Sequence, residues 1–238
     1  MFVCGRYGLF RDPGPIVRAL GGRTRGNFRF VPHYNVAPTQ PVLGIANDPE
    51  RTLANFHWGL VSNVPGEARR RISTINARIE TVATSPLYGP LLPVQRCALF
   101  ADGYYEWHLR RDGTKQPMWI ERRDGRTFAF AGLWQPYFEN GAAGLACTIV
   151  TQPANPYLAE LHERMPVVLA ATNARRWLEP GPLETEEALA LLEPAQGREW
   201  SYHPVGEAVG NVRNDAPELI ARAVATQVQP SLFDALEW

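Results

Sequence analysis

The chain of 238 residues holds 24 lysines and arginines against 24 aspartates and glutamates, so its formal net charge is zero. Its hydrophobic content of 45% and charged content of 20% are typical of a soluble globular protein. No apolar run approaches the roughly 18–20 residues of a membrane helix, and the first residues lack the pattern of a secretion signal. The three cysteines are far apart, which fits a reducing compartment and offers no metal-ligand spacing. We therefore expect a cytoplasmic protein with no membrane attachment, metal or cofactor.

The zero net charge conceals a difference between two parts of the chain. The first 80 residues contain 11 arginines, no lysine and 5 acidic residues, so they carry a positive formal charge. The remainder carries a negative formal charge of the same size. A basic part of this kind suits a face that attracts phosphate. The alternative is a compositional preference for arginine, because Lys115 is the only lysine in the chain.

The first part of the chain mixes loops with a few short elements. Prolines and asparagines mark its loops and turns, and its strands are rich in branched and aromatic residues. We predict, in order, a helix at 14–20, a loop at 29–40, strands at 41–47 and 52–58, a polar surface loop at 62–72, and a helix beginning within 76–84.

The second part opens with a β-rich block in which glycines separate the strands. We predict strands at 94–101, 103–109, 116–121, 127–134 and 145–151, a helix at 154–162, a buried strand at 165–170, helices at 173–179 and 185–193, a strand at 199–204 and a short helix at 216–224. Thr172 and Thr185 are candidate N-caps. The pattern predicts one α+β domain over 1–226, with a curved, mostly antiparallel, barrel-like sheet and peripheral helices. Residues 227–238 are expected to form a tail.

Cys4 lies close enough to the N-terminus to carry unusual chemistry. If processing made it the first residue, it would present a free amine and a thiol on adjacent carbons, with reference pKa values near 7.7–8.0 and about 8.5. Such an aminothiol condenses with an aldehyde: the amine forms an imine, and the sulfur then closes a thiazolidine ring. The alternative is a small buried cysteine that opens a first strand.

Two further residues suit proton transfer. Glu106 lies in a predicted strand between aromatic residues, so desolvation should raise its pKa and let it exchange protons near pH 7. His162 lies at a helix-to-strand junction and is the usual proton shuttle at neutral pH. The alternatives are a strand glutamate satisfied by an arginine, and a histidine that meets a helix C-terminus.

Five stretches combine polar residues with apolar surroundings: Cys4–Tyr7, Asn35–Pro38, Asn76–Glu80, Asp102–Trp107 and His162–Pro166. Their order and spacing resemble the SRAP (SOS-response-associated peptidase) family. The resemblance continues through Phe130–Trp134 and Val205–Asn214, and it covers nearly the whole chain.

The resemblance implies a function and a set of site residues. Members of the family bind single-stranded DNA that carries an abasic site, and an N-terminal cysteine cross-links to the opened sugar through a thiazolidine. We therefore expect a monomeric bacterial enzyme that acts near the replication fork, in which Cys4, Asn76, Glu106 and His162 are catalytic. Among the expected DNA-binding residues, Arg78 would bind phosphate, and Arg6 and Arg164 are weaker candidates for that task. Trp58 would stack on bases, and Asn35 and Pro38 would shape the pocket. Alternatives are a helix N-cap for Asn76 and a core aromatic for Trp58.

The N-terminus departs from the family pattern, which starts Met-Cys-Gly-Arg. Here Phe2 and Val3 stand before Cys4, so Cys4 as written has no free amine. One hypothesis is that translation starts at Val3. The other is that the protein removes Met1 to Val3 by itself, through attack of Cys4 on the preceding peptide bond.

A second departure follows Trp58. Many relatives carry another tryptophan a few positions later, and none occurs here before Trp107. We expect weaker wedging of DNA, or a role for the arginine run 69–71. The alternative for that run is a solvated loop.

The tail carries a separate signal. Gln229, Leu232 and Phe233 resemble the short peptide with which bacterial repair proteins dock on the replication sliding clamp, since an exposed Leu-Phe pair suits a hydrophobic pocket. The alternative is that these side chains fold back on the domain.

Two rival classes remain open from the sequence. An N-terminal-nucleophile hydrolase, such as a glutamine amidotransferase, would use the same thiol against an amide, with the α-amine as base. A non-covalent module for single-stranded DNA would need no thiol chemistry. The surroundings of Asn76, Glu106 and His162 match the SRAP pattern rather than either rival.

Overall fold

A computed structural model describes residues 4–60, 74–139, 142–192 and 199–223. These ranges contain the strands β1 Tyr7–Leu9, β2 His33–Val36, β3 Pro41–Ala46, β4 Leu53–Trp58, β5 Asn76–Arg78, β6 Arg96–Ala101, β7 Gly103–Leu109, β8 Lys115–Arg122, β9 Phe128–Glu139, β10 Ala142–Pro153, β11 Arg164–Pro166 and β12 Trp200–Pro204. The α-helices are α1 Gly14–Ala19, α2 Ala171–Trp177 and α3 Thr185–Ala190, and 3₁₀ helices lie at Glu207–Gly210 and Pro217–Ile220.

Five strands close into a barrel. Their order is β10, β4, β3, β6 and β9, and β9 pairs with β10 to complete the ring. The pairs are antiparallel except that β10 runs parallel to β4. The later residues of β10 extend past this pairing and hold two short strands: β5 pairs with 149–151 and β11 with 151–153. Closure removes free sheet edges from the ring, and the extension of β10 carries two of the motif stretches.

A second sheet packs against the barrel and carries the other motif stretches. Its order is β12, β8, β7, β1 and β2, and all its pairs are antiparallel. The ring of Tyr7 from β1 lies 5.3 Å from that of Trp58 in β4 and 5.7 Å from that of Phe130 in β9. The core between the two sheets therefore lies directly beneath the segment that begins at Cys4.

Asp102 fixes the corner where β6 of the barrel passes into β7 of the second sheet. Its side chain is fully buried and accepts hydrogen bonds from the backbone N–H groups of Phe10 and Arg11, each at 2.7 Å. The hydroxyl of Thr127 donates a third hydrogen bond at 2.5 Å. These bonds fix the end of β1 relative to β7, and so they fix the start of the chain relative to Glu106.

The predicted class is confirmed: the fold is α+β, with a curved, mostly antiparallel, barrel-like sheet and few helices. The strands predicted over 41–58 and 94–151 are present, as are the helix near 14–20, the helices near 173 and 185, and the strand near 199. β9 and β10 are longer than predicted, at 12 residues each, because each continues into the hairpin that joins them.

Two predicted helices are wrong. The first, within 76–84, begins with β5, because the backbone of Asn76–Arg78 pairs with β10. Tertiary pairing outweighs the local helix propensity of this stretch. The second, at 154–162, is a series of turns. Asn155 precedes a proline, which disfavours helical backbone at that residue, and its side chain accepts a hydrogen bond from the N–H of Leu158 at 2.9 Å.

Smaller differences concern the ends of elements. The predicted loop at 29–40 contains β2, and the strand at 165–170 is reduced to β11 and one bridge at Val168. The final helix is a short 3₁₀ turn, and α2 and α3 follow Ala170 and Glu184 rather than threonine caps. The predicted loop at 62–72 and tail at 227–238 lie outside the described residues. Among the described helices, none is long and apolar enough to be a candidate for crossing a membrane.

Candidate active site around Cys4

The structure brings Cys4 and Glu106 into direct contact. The backbone of the first described segment continues the β1–β7 pairing, since the N–H of Tyr105 donates to the carbonyl of Arg6 at 2.9 Å. One step further along, the N–H of Cys4 donates to Oε1 of Glu106 at 2.7 Å. This nitrogen would become an α-amine if the preceding residues were removed. It is therefore already hydrogen-bonded to a carboxyl group.

Glu106 is held in the environment that its aromatic neighbours predicted. Its side chain is buried, and burial raises the pKa of the carboxyl group to about 7, against a smaller lowering by the N–H groups of Cys4 and Trp107. The prediction of a raised pKa is confirmed. A carboxyl group with this pKa can take up and release a proton near neutral pH.

Cys4 is fully buried, and its thiol is held neutral. Burial, followed by the nearby Glu106 carboxyl group, raises the pKa of this thiol well above its ordinary value. The backbone at Cys4 has φ of 45°, in the left-handed region that costs a non-glycine residue about 1–2 kcal/mol. The surrounding contacts therefore hold Cys4 in a strained backbone conformation.

Tyr7 belongs to the same buried group, although its sequence gave no reason to assign it a role. Tyr7 pairs with Tyr104, two residues before Glu106 on one face of β7, so the three side chains share that face. Its hydroxyl is buried with no hydrogen-bond partner among the described residues. Burial, then the nearby thiols of Cys147 and Cys4, raises the pKa of Tyr7 well above its ordinary value.

Arg6 and Asn35 form a second direct contact among the predicted residues. Nη1 of Arg6 donates to Oδ1 of Asn35 at 2.8 Å and to the carbonyl of Val209 at 2.7 Å. The guanidinium also lies 5.8 Å from the ring centroid of Trp107. Both side chains are buried, and in this structure they join the cysteine segment to the chain at Val209.

Asn76 and Arg78 lie on β5, beside the extension of β10. Asn76 is half-buried and its carbonyl accepts a hydrogen bond from the hydroxyl of Tyr88 at 3.0 Å. Because β5 is a strand, the alternative of a helix N-cap at Asn76 is wrong. Arg78 is exposed.

His162 and Arg164 lie on the opposite edge of the same extension. The N–H of Arg164 donates to Nδ1 of His162 at 3.1 Å, which makes Nδ1 an acceptor and assigns the proton of the neutral ring to Nε2. The guanidinium of Arg164 is buried and binds both carboxylate oxygens of Glu80, at 2.7 and 3.0 Å, and the carbonyl of Thr151 at 3.0 Å. Arg164 therefore joins β11 to the turn after β5.

Trp58 and Pro38 differ in what they offer a ligand. The indole of Trp58 is fully buried against Tyr7, and its N–H donates to the carbonyl of Ile75 at 3.1 Å. This placement matches the core-aromatic alternative and leaves no ring face for base stacking. Pro38 is half-buried in the turn between β2 and β3. The arginine run at 69–71 lies outside the described residues, as do Gln229, Leu232 and Phe233.

The site thus has two parts, one from each sheet. β1 and β7 bring Cys4, Arg6 and Glu106 together, while β5 and β11 place Asn76 and His162 on the two edges of β10. The sequence named no role for Glu80 or Tyr7, although both lie inside the motif stretches. Within the described ranges, no group of His, Cys, Asp and Glu side chains is arranged to hold a metal ion.

These features define a class: a barrel protein in which a cysteine near the N-terminus is held against a buried carboxyl group, with an asparagine and a histidine beside the longest strands of the barrel. The model of the family named SOS response associated peptidase (SRAP) matches residues 3–212. The chain belongs to this family.

Named relatives and a solved structure agree with this assignment. The chain is 33% identical over 221 residues to abasic site processing protein YoqW of Bacillus subtilis, covering 92% of this chain and 99% of the relative. It is 35% identical over 226 residues to abasic site processing protein YedK of Escherichia coli, with 92% and 99% covered. The crystal structure of a protein from Bacteroides thetaiotaomicron matches with a TM-score of 0.80 at 21% identity, covering 93% of this chain and all of that one. This last match supports the fold alone.

Proposed function

We propose that the protein processes abasic sites in single-stranded DNA by forming a thiazolidine cross-link between Cys4 and the opened sugar. The observation that carries this proposal is the 2.7 Å hydrogen bond from the nitrogen of Cys4 to Glu106, whose pKa is raised to about 7. The names of the relatives agree with an abasic-site substrate.

The proposed reaction needs proton transfers and no redox step. Once Cys4 is the first residue, Glu106 removes a proton from its ammonium group, and the amine attacks the sugar aldehyde to give a carbinolamine. Protonated Glu106 then delivers its proton to the hydroxyl group, which leaves as water and forms the imine. The sulfur adds to the imine carbon while its proton passes to nitrogen. The net change is loss of one water.

His162 and Asn76 are proposed to act on the sugar. With Nδ1 accepting the N–H of Arg164, Nε2–H of His162 is the donor, which suits a hydrogen bond to the ring oxygen when the sugar opens. Asn76 orients the sugar by hydrogen bonds. Arg78, exposed on the same strand as Asn76, binds phosphate, while Arg6, Asn35, Pro38 and Arg164 shape the walls.

We propose that the protein itself removes Met1 to Val3. The sulfur of Cys4 attacks the carbonyl of Val3 while Glu106 takes up the thiol proton. The C–N bond then breaks as Glu106 passes this proton to the leaving nitrogen, and water hydrolyses the thioester. The left-handed backbone at Cys4 and the bond from its nitrogen to Glu106 support this peptidase step. Removal has to precede DNA capture, because the nitrogen of Cys4 is an amide in the longer chain. Translation from Val3 would produce the same working form.

The protein is proposed to act as a monomer. We further propose, from the sequence of the tail alone, that Gln229, Leu232 and Phe233 dock on the sliding clamp. A pull-down in which the double variant Leu232→Ala and Phe233→Ala still captures the clamp would refute this part.

A denaturing gel tests the central proposal. Wild-type protein incubated with single-stranded DNA that contains an abasic site should give a heat-stable band of reduced mobility. Cys4→Ala should abolish the band, and Cys97→Ala, which removes a buried thiol elsewhere, should keep it. A band that persists in Cys4→Ala would refute the thiazolidine mechanism.

A further inference from the structure

A loop that the reaction does not use lies against the cysteine segment. It spans residues 206–214 and begins with the 3₁₀ helix Glu207–Gly210. The side chain of Asn214 donates to the carbonyl of Ala208 at 2.8 Å, and that of Asn211 accepts from the N–H of Arg213 at 3.1 Å. These bonds fold the loop back on itself.

Two residues of the candidate site hold this loop in place. Asn35 donates through Nδ2 to the carbonyl of Asn214 at 2.7 Å and to that of Asn211 at 3.1 Å. Arg6 donates to the carbonyl of Val209 at 2.7 Å. Because Arg6 is two residues from Cys4, the loop has a fixed position relative to the nucleophile.

The tip of the loop presents an apolar and a basic side chain to solvent. Val212 is 47% exposed, and Arg213 is exposed with no ion pair to an acidic side chain within the described ranges. Asp215, the nearest acidic residue in sequence, is already engaged by Nδ1 of His33 at 2.6 Å and by the N–H of Tyr34 at 2.5 Å. Glu207, at the other end of the loop, is exposed.

We propose that this tip is a DNA contact, in which Arg213 binds a phosphate near the abasic nucleotide and Val212 packs against the adjoining sugar or base. The proposal rests on the proposed function, because it assumes single-stranded DNA as the substrate. Arg213 is four residues from Val209, so its backbone lies at most about 14 Å from the loop position that Arg6 holds.

Arg213 differs from two other arginines of the candidate site. Arg6 and Arg164 donate to partners within the protein, and both guanidiniums are buried. Arg213 combines exposure with a backbone fixed by at least three hydrogen bonds to its loop. An arginine whose backbone is held in place loses less conformational entropy when it binds phosphate.

Binding to DNA with a stable abasic analogue that has no aldehyde tests the proposal without cross-linking. Arg213→Ala should weaken binding roughly tenfold at low salt, as expected for one charge-assisted hydrogen bond. It should also reduce the slope of log affinity against log salt by about 0.7, the value for one phosphate contact on a single strand. Arg18→Ala, which removes an exposed arginine from α1, is the matched control and should change neither quantity.

Cross-linking separates this proposal from the proposed function. At saturating abasic DNA, Arg213→Ala should cross-link at the wild-type rate, because the tip binds DNA and does not take part in the chemistry. An unchanged affinity and salt slope in Arg213→Ala would overturn the proposal, and so would an equal loss in Arg18→Ala. A wild-type protein that binds the analogue and forms no cross-link would instead refute the thiazolidine function alone.

Discussion

Two glutamates near the site, Glu106 and Glu80, have opposite electrostatic surroundings. Glu106 is buried, accepts from the N–H of Cys4, and has its pKa raised to about 7 by desolvation. Glu80 is half-exposed and binds the guanidinium of Arg164 through both oxygens, which lowers its pKa. The same side chain is thus prepared for proton transfer in one place and held as a fixed anion in the other. The difference arises from burial at Glu106 and from the contact with Arg164 at Glu80.

The largest expected effect is on the rate of cross-linking. Glu106→Gln keeps the size of the side chain and an acceptor for the N–H of Cys4 but cannot exchange a proton. We expect the rate to fall by roughly 10²-fold or more, the usual contribution of a positioned acid–base group. A time course with abasic single-stranded DNA measures this, and Glu80→Gln is the matched control, expected to keep the rate. Equal losses in the two variants would remove the distinction between the glutamates.

The second expected effect is on the pH dependence of stability of the full-length chain. Because the pKa of Glu106 is raised on folding, the unfolded chain releases this proton at lower pH than the folded chain does, so stability falls between about pH 4.5 and 7. Glu106→Gln lacks this loss and should be more stable than wild type above pH 7, by an amount on the order of 3 kcal/mol at 1.36 kcal/mol per pKa unit. Urea unfolding at pH 4.5 and pH 8 measures the difference.

The matched variant Glu80→Gln should behave in the opposite way. Since Arg164 lowers the pKa of Glu80, the stability from this pair is present above the ordinary pKa of a glutamate and is lost as pH falls through the lowered value. The difference in unfolding free energy between Glu80→Gln and wild type should therefore change only at acidic pH, below the ordinary pKa of a glutamate. A stability difference for Glu106→Gln that is independent of pH would contradict the assigned pKa.

A third expected effect concerns the contact between β11 and the turn after β5. Arg164→Met keeps the length of the buried side chain but removes its bonds to Glu80 and Thr151. We expect a loss of about 2 kcal/mol in the free energy of unfolding. Glu80→Gln should cost less, below about 1 kcal/mol, because that carboxylate is partly solvated. A larger loss in Glu80→Gln than in Arg164→Met would refute this ranking.

The smallest expected effect is at Tyr7. Tyr7→Phe removes a buried hydroxyl that has no hydrogen-bond partner within the described ranges, so stability should stay the same or rise by up to about 1 kcal/mol. The control is Tyr105→Phe on the other face of β7, which loses a hydrogen bond of 2.8 Å to the carbonyl of Tyr34 and should lose about 1 kcal/mol. A marked loss of stability in Tyr7→Phe would show that its hydroxyl has a partner, such as water.

The sequence predicted those features that depend on neighbouring residues. Alternating apolar residues and glycine turns predicted the strands of the second half, and aromatic neighbours predicted the raised pKa of Glu106. The sequence failed where partners are distant along the chain. Asn76–Arg78 was predicted to begin a helix because its pairing partners in β10 lie more than 70 residues away.

The same limit applies to the side chains of the site. Arg164 meets Glu80 across 84 residues, and Asn35 meets Asn211 across 176. No local pattern shows that these groups are already occupied by partners within the protein. Nor does one show that Trp58 is fully buried rather than open for stacking.

The mass of the covalent adduct tests the central claim most directly. Adduct formed with abasic single-stranded DNA should have the combined mass of the DNA and a polypeptide that begins at Cys4, less one water. An adduct that retains Met1 to Val3 would contradict the account, because the nitrogen of Cys4 would still be an amide and no thiazolidine could close.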